Sequence, residues 1–254
     1  MIEFVTAEDG VRIAFERMGE GAPVLLVHGF GSSRDQNWKS TGWYGSLTEA
    51  GRQVVAMDCR GHGLSDKPHE MSAYGHDRMA RDAMAVLDAA GVETADVVGY
   101  SMGGYIGLRA AAAFGARIRR LALGGVGASY FTGGVGAEGS RQMLADALLT
   151  EDKSHLTDPR AKMFRAFAEQ PGKDRFALAA CMRAMSPPLP PETLSQLQQK
   201  VLVACGDKDD ISGPPQPLAA ALAHGESVVI PGRDHMSAVG ELKTRRAVVR
   251  FLEL

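Results

Sequence analysis

Cysteine is scarce in this 254-residue chain: only Cys59, Cys181 and Cys205 occur, and no two form a Cys-x-x-Cys pair. A disulfide framework and a thiolate metal site are thereby excluded, and buried free thiols in a reducing compartment are expected. Charge of one sign is missing too. The chain has 28 Lys and Arg against 30 Asp and Glu, a formal net charge of −2, so nothing calls for nucleic acid or an anionic membrane as partner. No apolar run is long enough to span a bilayer, and Met1-Ile2-Glu3-Phe4-Val5-Thr6 lacks the charged-then-apolar order of a secretion signal. Cytoplasmic residence is the expectation. There is no His-Glu-x-x-His, no Cys/His ligand set and no Walker sequence, and Gly125-x-Gly127-x-x-Tyr130 lacks the third glycine of a dinucleotide fingerprint. No metal and no cofactor are expected, and the partner is expected to be a small molecule.

What is present is an alternation of apolar strand-like runs and helical patterns. Ile2–Thr6 and Val11–Arg17 flank Glu8-Asp9-Gly10 as a hairpin. Pro23–Val27, Gln53–Met57, Val97–Tyr100, Ile118–Leu123, Val201–Cys205 and Ser227–Ile230 read as buried strands, with helical segments between them. Strands apolar on both faces and separated by helices predict an α/β fold, a mostly parallel central sheet covered by helices on both faces. The rhythm breaks at Gly124. Two Gly-rich stretches, Gly124–Ala128 and Gly133-Gly134-Val135-Gly136, precede three helix-like segments, Glu138–Leu149, Pro159–Gln170 and Asp174–Met185, and then Pro187–Pro191. This predicts a core domain of residues 1–128 and 192–254, with residues 129–191 inserted as a helical lid.

The chemistry centres on Val97-Val98-Gly99-Tyr100-Ser101-Met102-Gly103-Gly104, an apolar run, a small-residue turn and then an Ala-rich helix. Gly99-x-Ser101-x-Gly103 in strand–turn–helix context is the spacing of a nucleophile elbow. Alone it is also what a capping serine at a Gly-rich turn looks like. A nucleophilic serine needs a base, and the base needs an acid to orient it. Two later strands open into loops that carry such groups. Val201–Cys205 runs into Gly206-Asp207-Lys208-Asp209-Asp210, and Ser227–Ile230 into Pro231-Gly232-Arg233-Asp234-His235. The three aspartates of the first loop are not ranked by composition, and they lack the spacing of a calcium loop.

In this order the motifs resemble the α/β-hydrolase fold superfamily, in the form of a serine esterase-like member with a helical lid. They are His28-Gly29-Phe30-Gly31, Asp58-x-Arg60-Gly61-x-Gly63-x-Ser65, Gly99-x-Ser101-x-Gly103-Gly104, Gly206-x-x-Asp209 and Asp234-His235. The resemblance covers nearly the whole chain apart from the lid. It implies Ser101 as nucleophile, His235 as general base and acid, and Asp209 as the carboxylate that orients it. The other place where this fold carries its acid, Leu123–Ala128, has no carboxylate. The resemblance also implies an oxyanion hole made by the backbone N–H groups of Phe30 and Met102.

His28 reads as a hydrogen-bonding strut. His62 reads as structural, and His69, His76, His155 and His224 as surface or packing residues. Arg245, Arg246 and Arg250 read as the solvated face of the last helix. Phe30, Trp38, Trp43, Met163 and Phe167 are candidate pocket residues, and packing is the other reading of the tryptophans. Apolar lid positions, from Met143 and Leu144 to Phe176 and Met185, point to a substrate with an apolar acyl or alcohol part. The expectation is a carboxylic-ester hydrolase acting through an acyl-enzyme. Alternatives are another bond on the same triad (the C–C bond of a diketone, a lactone, an amide or a thioester) and a ligand-binding receptor. Aspartate at the elbow centre would mark a dehalogenase or epoxide hydrolase of this fold, and this chain has serine there.

Overall fold

The computed structural model describes residues 1–132 and 137–253; the second Gly-rich stretch, Gly133–Gly136, lies outside them. Strands β1 (Ile2–Thr6) and β2 (Arg12–Met18) form the expected hairpin, with Phe4 opposite Ala14. Strands β3 (Ala22–Val27), β4 (Arg52–Met57), β5 (Ala95–Tyr100), β6 (Ile118–Gly124), β7 (Lys200–Gly206) and β8 (Gly225–Ile230) follow. They make one eight-stranded sheet in the order β1-β2-β4-β3-β5-β6-β7-β8. Only the pairs involving β2 are antiparallel.

Side chains alternate along the central strands, so each strand feeds two cores. Leu25, Val27, Val55, Met57 and Val97 meet α2 (His76–Ala89) and α3 (Met102–Ala113) on one face. On the other face Val24, Leu26, Val54, Ala56 and Val98 meet α1 (Trp43–Glu49) and the last helix. Each buried Val, Leu or Met side chain among them contributes roughly 1.5–3 kcal/mol. Trp38 and Trp43 belong to this second core. They are 0% and 1% exposed, their rings meet edge to face at 5.2 Å, and Trp43 Nε1 donates to Val239 O at 2.8 Å. Of the two readings of these tryptophans, packing is the one observed. Helix α2 starts at His76, because Gly75 at φ 116° breaks the chain direction and the His76 N–H donates to Ser186 Oγ at 3.0 Å.

Between β6 and β7 the chain forms α4 (Ser129–Thr132), α5 (Glu138–Leu149), α6 (Pro159–Ala168), α7 (Arg175–Arg183) and α8 (Pro191–Gln196). Asp158 and Asp174 cap α6 and α7 by accepting their first free N–H groups. Leu144, Leu148, Leu178 and Met182 give α5, α6 and α7 a small core of their own. Phe30 and Met185 pack against both this core and the first sheet core. The Gly124–Ala128 stretch, for all its glycine, is tied down. Ala128 N donates to Pro214 O at 2.9 Å and Ser129 N to Ser212 O at 3.0 Å, while a Cβ on Gly127 would lie 2.7 Å from Pro214 O. Close approach rather than freedom explains that glycine.

After β7 come α9 (Gln216–Ala220) and, beyond β8, α10 (Leu242–Glu253). Arg245 of α10 is no free surface charge: it donates to Gly42 O at 3.0 Å and Ser46 Oγ at 2.8 Å, joining α10 to α1. Among the described residues no helix is long and apolar enough to cross a membrane.

Candidate active site

The carboxyl ends of β3, β5, β7 and β8 lie along one edge of the sheet, where a parallel fold opens its crevice. At the end of β5 the chain turns sharply into α3, and Ser101 is the only described non-glycine residue with positive φ (φ 51°, ψ −116°). Such a conformation costs on the order of 1–3 kcal/mol. It is held by Ser101 N donating to Gly124 O and Gly104 N to Ser101 O, both at 2.8 Å. The flanking glycines are required by space, since a Cβ on Gly99 would collide with the Gly103 carbonyl and one on Gly103 with the Val27 carbonyl.

His235, on the loop after β8, brings Nε2 to 3.1 Å from Ser101 Oγ. Its Nδ1 stands 2.9 Å from Asp209 Oδ2, on the loop after β7. Of the three aspartates in that loop, Asp209 is the buried one that faces the histidine. Its Oδ1 accepts Ile211 N at 3.1 Å and Ser212 N at 2.8 Å, and the Ser212 hydroxyl donates to Oδ2. Burial pushes this carboxyl up, but the His235 contact and the Ser212 hydrogen bonds outweigh it and hold it below the usual carboxylate range. Asp207 instead accepts Gly232 N at 2.6 Å on the exposed side of the turn.

Three further groups complete the arrangement. Ser212 Oγ lies 3.1 Å from His235 Nδ1 as well as against Asp209. Tyr100 OH donates to the His235 backbone carbonyl at 2.6 Å. Gly125, at φ 62°, leaves room for the imidazole, because a Cβ there would lie 2.9 Å from His235 Cε1. None of these was given a role at the site from the sequence. Ser212 alone had a usable signal, being a hydroxyl three residues after a loop aspartate, where it can close a local turn.

On the other side of Ser101 the loop after β3 passes close, and a Cβ on Gly29 would sit 3.4 Å from Ser101 Cβ. The N–H groups of Phe30 and Met102 donate to no described protein acceptor, so both are free to meet an anion beside Ser101. His28 is a strut. Its Nδ1 donates to Gly29 O at 2.8 Å and its Nε2 accepts Cys59 N at 3.0 Å, tying this loop to the one after β4. Asn37 Oδ1 accepts the Gly29 N–H at 3.2 Å and further fixes the turn.

These groups open into a cavity of about 320 Å³. Phe30, Met163, Phe164, Phe167, Met182 and Met185 give it apolar walls. Trp38 and Trp43 do not reach it, Leu144 and Leu148 are spent in the core of the helical layer, and Phe176 faces outward beside His69. No described lining residue is Asp, Glu, Lys or Arg. Among the described residues no group of three or more His, Cys, Asp or Glu could hold a metal ion.

A family model of the alpha/beta hydrolase fold matches residues 22–132, the stretch from β3 to α4 that carries the Phe30 loop and Ser101. The chain belongs to the α/β-hydrolase fold superfamily. It is 34% identical over 188 residues to the 2-hydroxymuconate semialdehyde hydrolase of Pseudomonas putida, a match over 70% of this chain and 64% of that protein. The chain therefore spans just under two thirds of that curated relative. Among solved structures, a hydrolase from Pseudomonas aeruginosa superposes over 100% of this chain and 98% of its own, with a TM-score of 0.82 and 25% identity. An esterase from Thermogutta terrifontis matches over the same shares with a TM-score of 0.80 and 24% identity, which speaks for the fold alone.

Proposed function

We propose that the protein is a serine hydrolase of neutral carboxylic esters with an apolar acyl or alcohol part. The observation that carries this reading is the Ser101–His235–Asp209 chain, at 3.1 and 2.9 Å, opening into a cavity without a permanent charge. In this reading Ser101 Oγ attacks the acyl carbon while its proton passes to His235 Nε2. The carbonyl oxygen, now an oxyanion, accepts from the backbone N–H groups of Phe30 and Met102. Collapse of the tetrahedral species expels the alcohol, which takes the proton from His235. Water, deprotonated in turn by His235, then splits the acyl-serine and regenerates Ser101. Asp209 holds the imidazole and balances its transient charge. The helical layer between β6 and β7 serves as the lid of the site.

The second reading is cleavage of a C–C bond, and its support is the relative that acts on 2-hydroxymuconate semialdehyde, a carboxylate. The cavity weighs against a substrate of that kind. A carboxylate buried there would find no Lys or Arg on the walls, and an unpaired buried charge is costly.

The deciding assay is a panel of neutral p-nitrophenyl and alkyl esters of graded length, run beside an anionic ring-cleavage diketone and with the Ser101→Ala protein as control. Ester turnover that vanishes in Ser101→Ala is the expected result. Turnover of the diketone alone would overturn the ester reading, and no turnover at all would overturn the enzyme reading.

A further inference from the structure

His76 is a buried group at the cavity that the proposed mechanism does not use. It is the first residue of α2, only 3% exposed, and it lines the same cavity as Ser101. Its ring stacks on Tyr105 with centroids 5.5 Å apart and planes 27° apart. Tyr105 stacks in turn on Tyr130 at 5.0 Å, and its N–H donates to Ser101 O at 3.3 Å. His76 is thus one turn of α3, about 5 Å, and one ring stack removed from the reacting serine.

Neither nitrogen of this imidazole has a hydrogen-bond partner among the described residues. Buried polar groups are nearly always paired, and an orphan calls for an explanation. Burial foremost, helped by the Arg109 and Arg141 guanidiniums, pushes its pKa down to about 4 despite Asp77 beside it. Arg109 is engaged by Asp77 and the Pro187 carbonyl, and Arg141 by the Met185 carbonyl. At neutral pH the ring therefore carries one N–H donor and one bare nitrogen acceptor.

Resting on the ester-hydrolase reading, we propose that His76 is a specificity-determining residue for a neutral oxygen function, hydroxyl or carbonyl, carried by the substrate away from the scissile bond. Both nitrogens sit on the ring edge, closed off in the resting pocket, so a substrate oxygen reaches one only as the ring turns; a hydroxyl then pairs with either the N–H or the bare nitrogen, whereas a plain alkyl chain leaves both unpaired. A site built around a hydrogen bond discriminates against the analogue that lacks it far more strongly than an apolar pocket discriminates by size. The substrate class narrows to esters that are apolar along most of their length and hydroxylated or oxo-substituted at the far end.

The test uses two matched pairs: methyl hexanoate against methyl 6-hydroxyhexanoate, and pentyl acetate against 5-hydroxypentyl acetate. For each pair the ratio of kcat/KM, hydroxylated over plain, is compared in wild type and in His76→Phe, which keeps the ring stack on Tyr105. The expected result is a ratio at least about tenfold lower in His76→Phe for one of the pairs, with partial recovery in His76→Gln. Identical ratios in both proteins would mean that water or simple packing accounts for His76, and would overturn the proposal. Equilibrium binding of the same pairs to Ser101→Ala, with and without His76→Phe, reads the contrast without turnover. A wild type that cleaves no ester thus refutes the hydrolase reading, while equal binding contrasts refute the role of His76.

Discussion

Replacing Asp209 by asparagine probes the geometry of the site through one change of atom. Oδ1 of Asp209 accepts two backbone N–H groups, from Ile211 and Ser212, so the carbonyl oxygen of an asparagine must occupy that side. The NH₂ group then falls where Oδ2 stands, 2.9 Å from His235 Nδ1. Two donors cannot face each other there, so the imidazole must put its proton on Nε2 and leave Nδ1 bare to accept. That tautomer points an N–H at Ser101 Oγ and can no longer remove its proton. The negative charge that balances the imidazolium is lost as well. From the known cost of the wrong tautomer in a serine triad, kcat should fall by about 10⁴, or about 5.5 kcal/mol of transition-state stabilisation. The fold should persist, because the two backbone hydrogen bonds and the loop path remain. Asp207→Asn and Asp210→Asn serve as controls, since neither side chain contacts His235, and each should stay within about threefold of wild type. The assay is single-ester kinetics on the three variants with circular dichroism as the folding check. An Asp209→Asn protein within tenfold of wild-type kcat would refute the reasoning, as would a collapse in Asp207→Asn or Asp210→Asn.

Other consequences are open to measurement. Ser101→Gly should abolish turnover yet raise stability by about 1 kcal/mol, because glycine accepts φ 51° without strain; a lower Tm would contradict the strain argument. Ser212→Ala should lower kcat roughly tenfold with little change in KM, since its hydroxyl is engaged by Asp209 and His235; an unchanged kcat would show that the carboxylate is held by its backbone donors alone. Burial lowers the pKa of His28 and His76 to about 4 and of His62 to about 3. Below about pH 6.5 the unfolded chain binds protons that these three residues refuse in the fold. Their stability contribution is therefore full above pH 6.5 and is lost as pH falls toward 4, with a slope of up to about 4 kcal/mol per pH unit. Urea unfolding at pH 7, 6 and 5 measures that slope, and a flat profile would contradict it. Phe164→Ala opens the wall where Phe164 meets Phe30 at 5.8 Å, and should shift ester preference toward longer acyl chains.

Much of this molecule can be read along the chain because the information is local. Period-two and period-3.6 patterns, with glycine stops, mark strands and helices, and two-faced apolar strands require a covered parallel sheet. The elbow is local as well: Gly99 and Gly103 are needed so that neighbouring backbones can pass, whatever the rest of the chain does. Order also brings Ser101, His235 and the loop of Asp207, Asp209 and Asp210 together, because parallel strands put all their carboxyl ends on one edge; which aspartate serves came from the family resemblance, and burial against His235 is what distinguishes Asp209 in the fold. What stayed hidden depends on packing between distant segments. Trp38 and Trp43 follow the Phe30 loop in sequence, yet the turn into α1 carries them beneath the sheet. His76 looks like any helix-start residue until Tyr105 from α3 stacks on it and burial strips both nitrogens of partners. Ser212 and Gly125 matter only because β6 and β7 lie side by side, bringing their two loops against one imidazole. Sequence pattern determines which segments can be strands, helices and turns. Only the tertiary fold decides which of their side chains share a cavity and which polar atoms are left there unpaired.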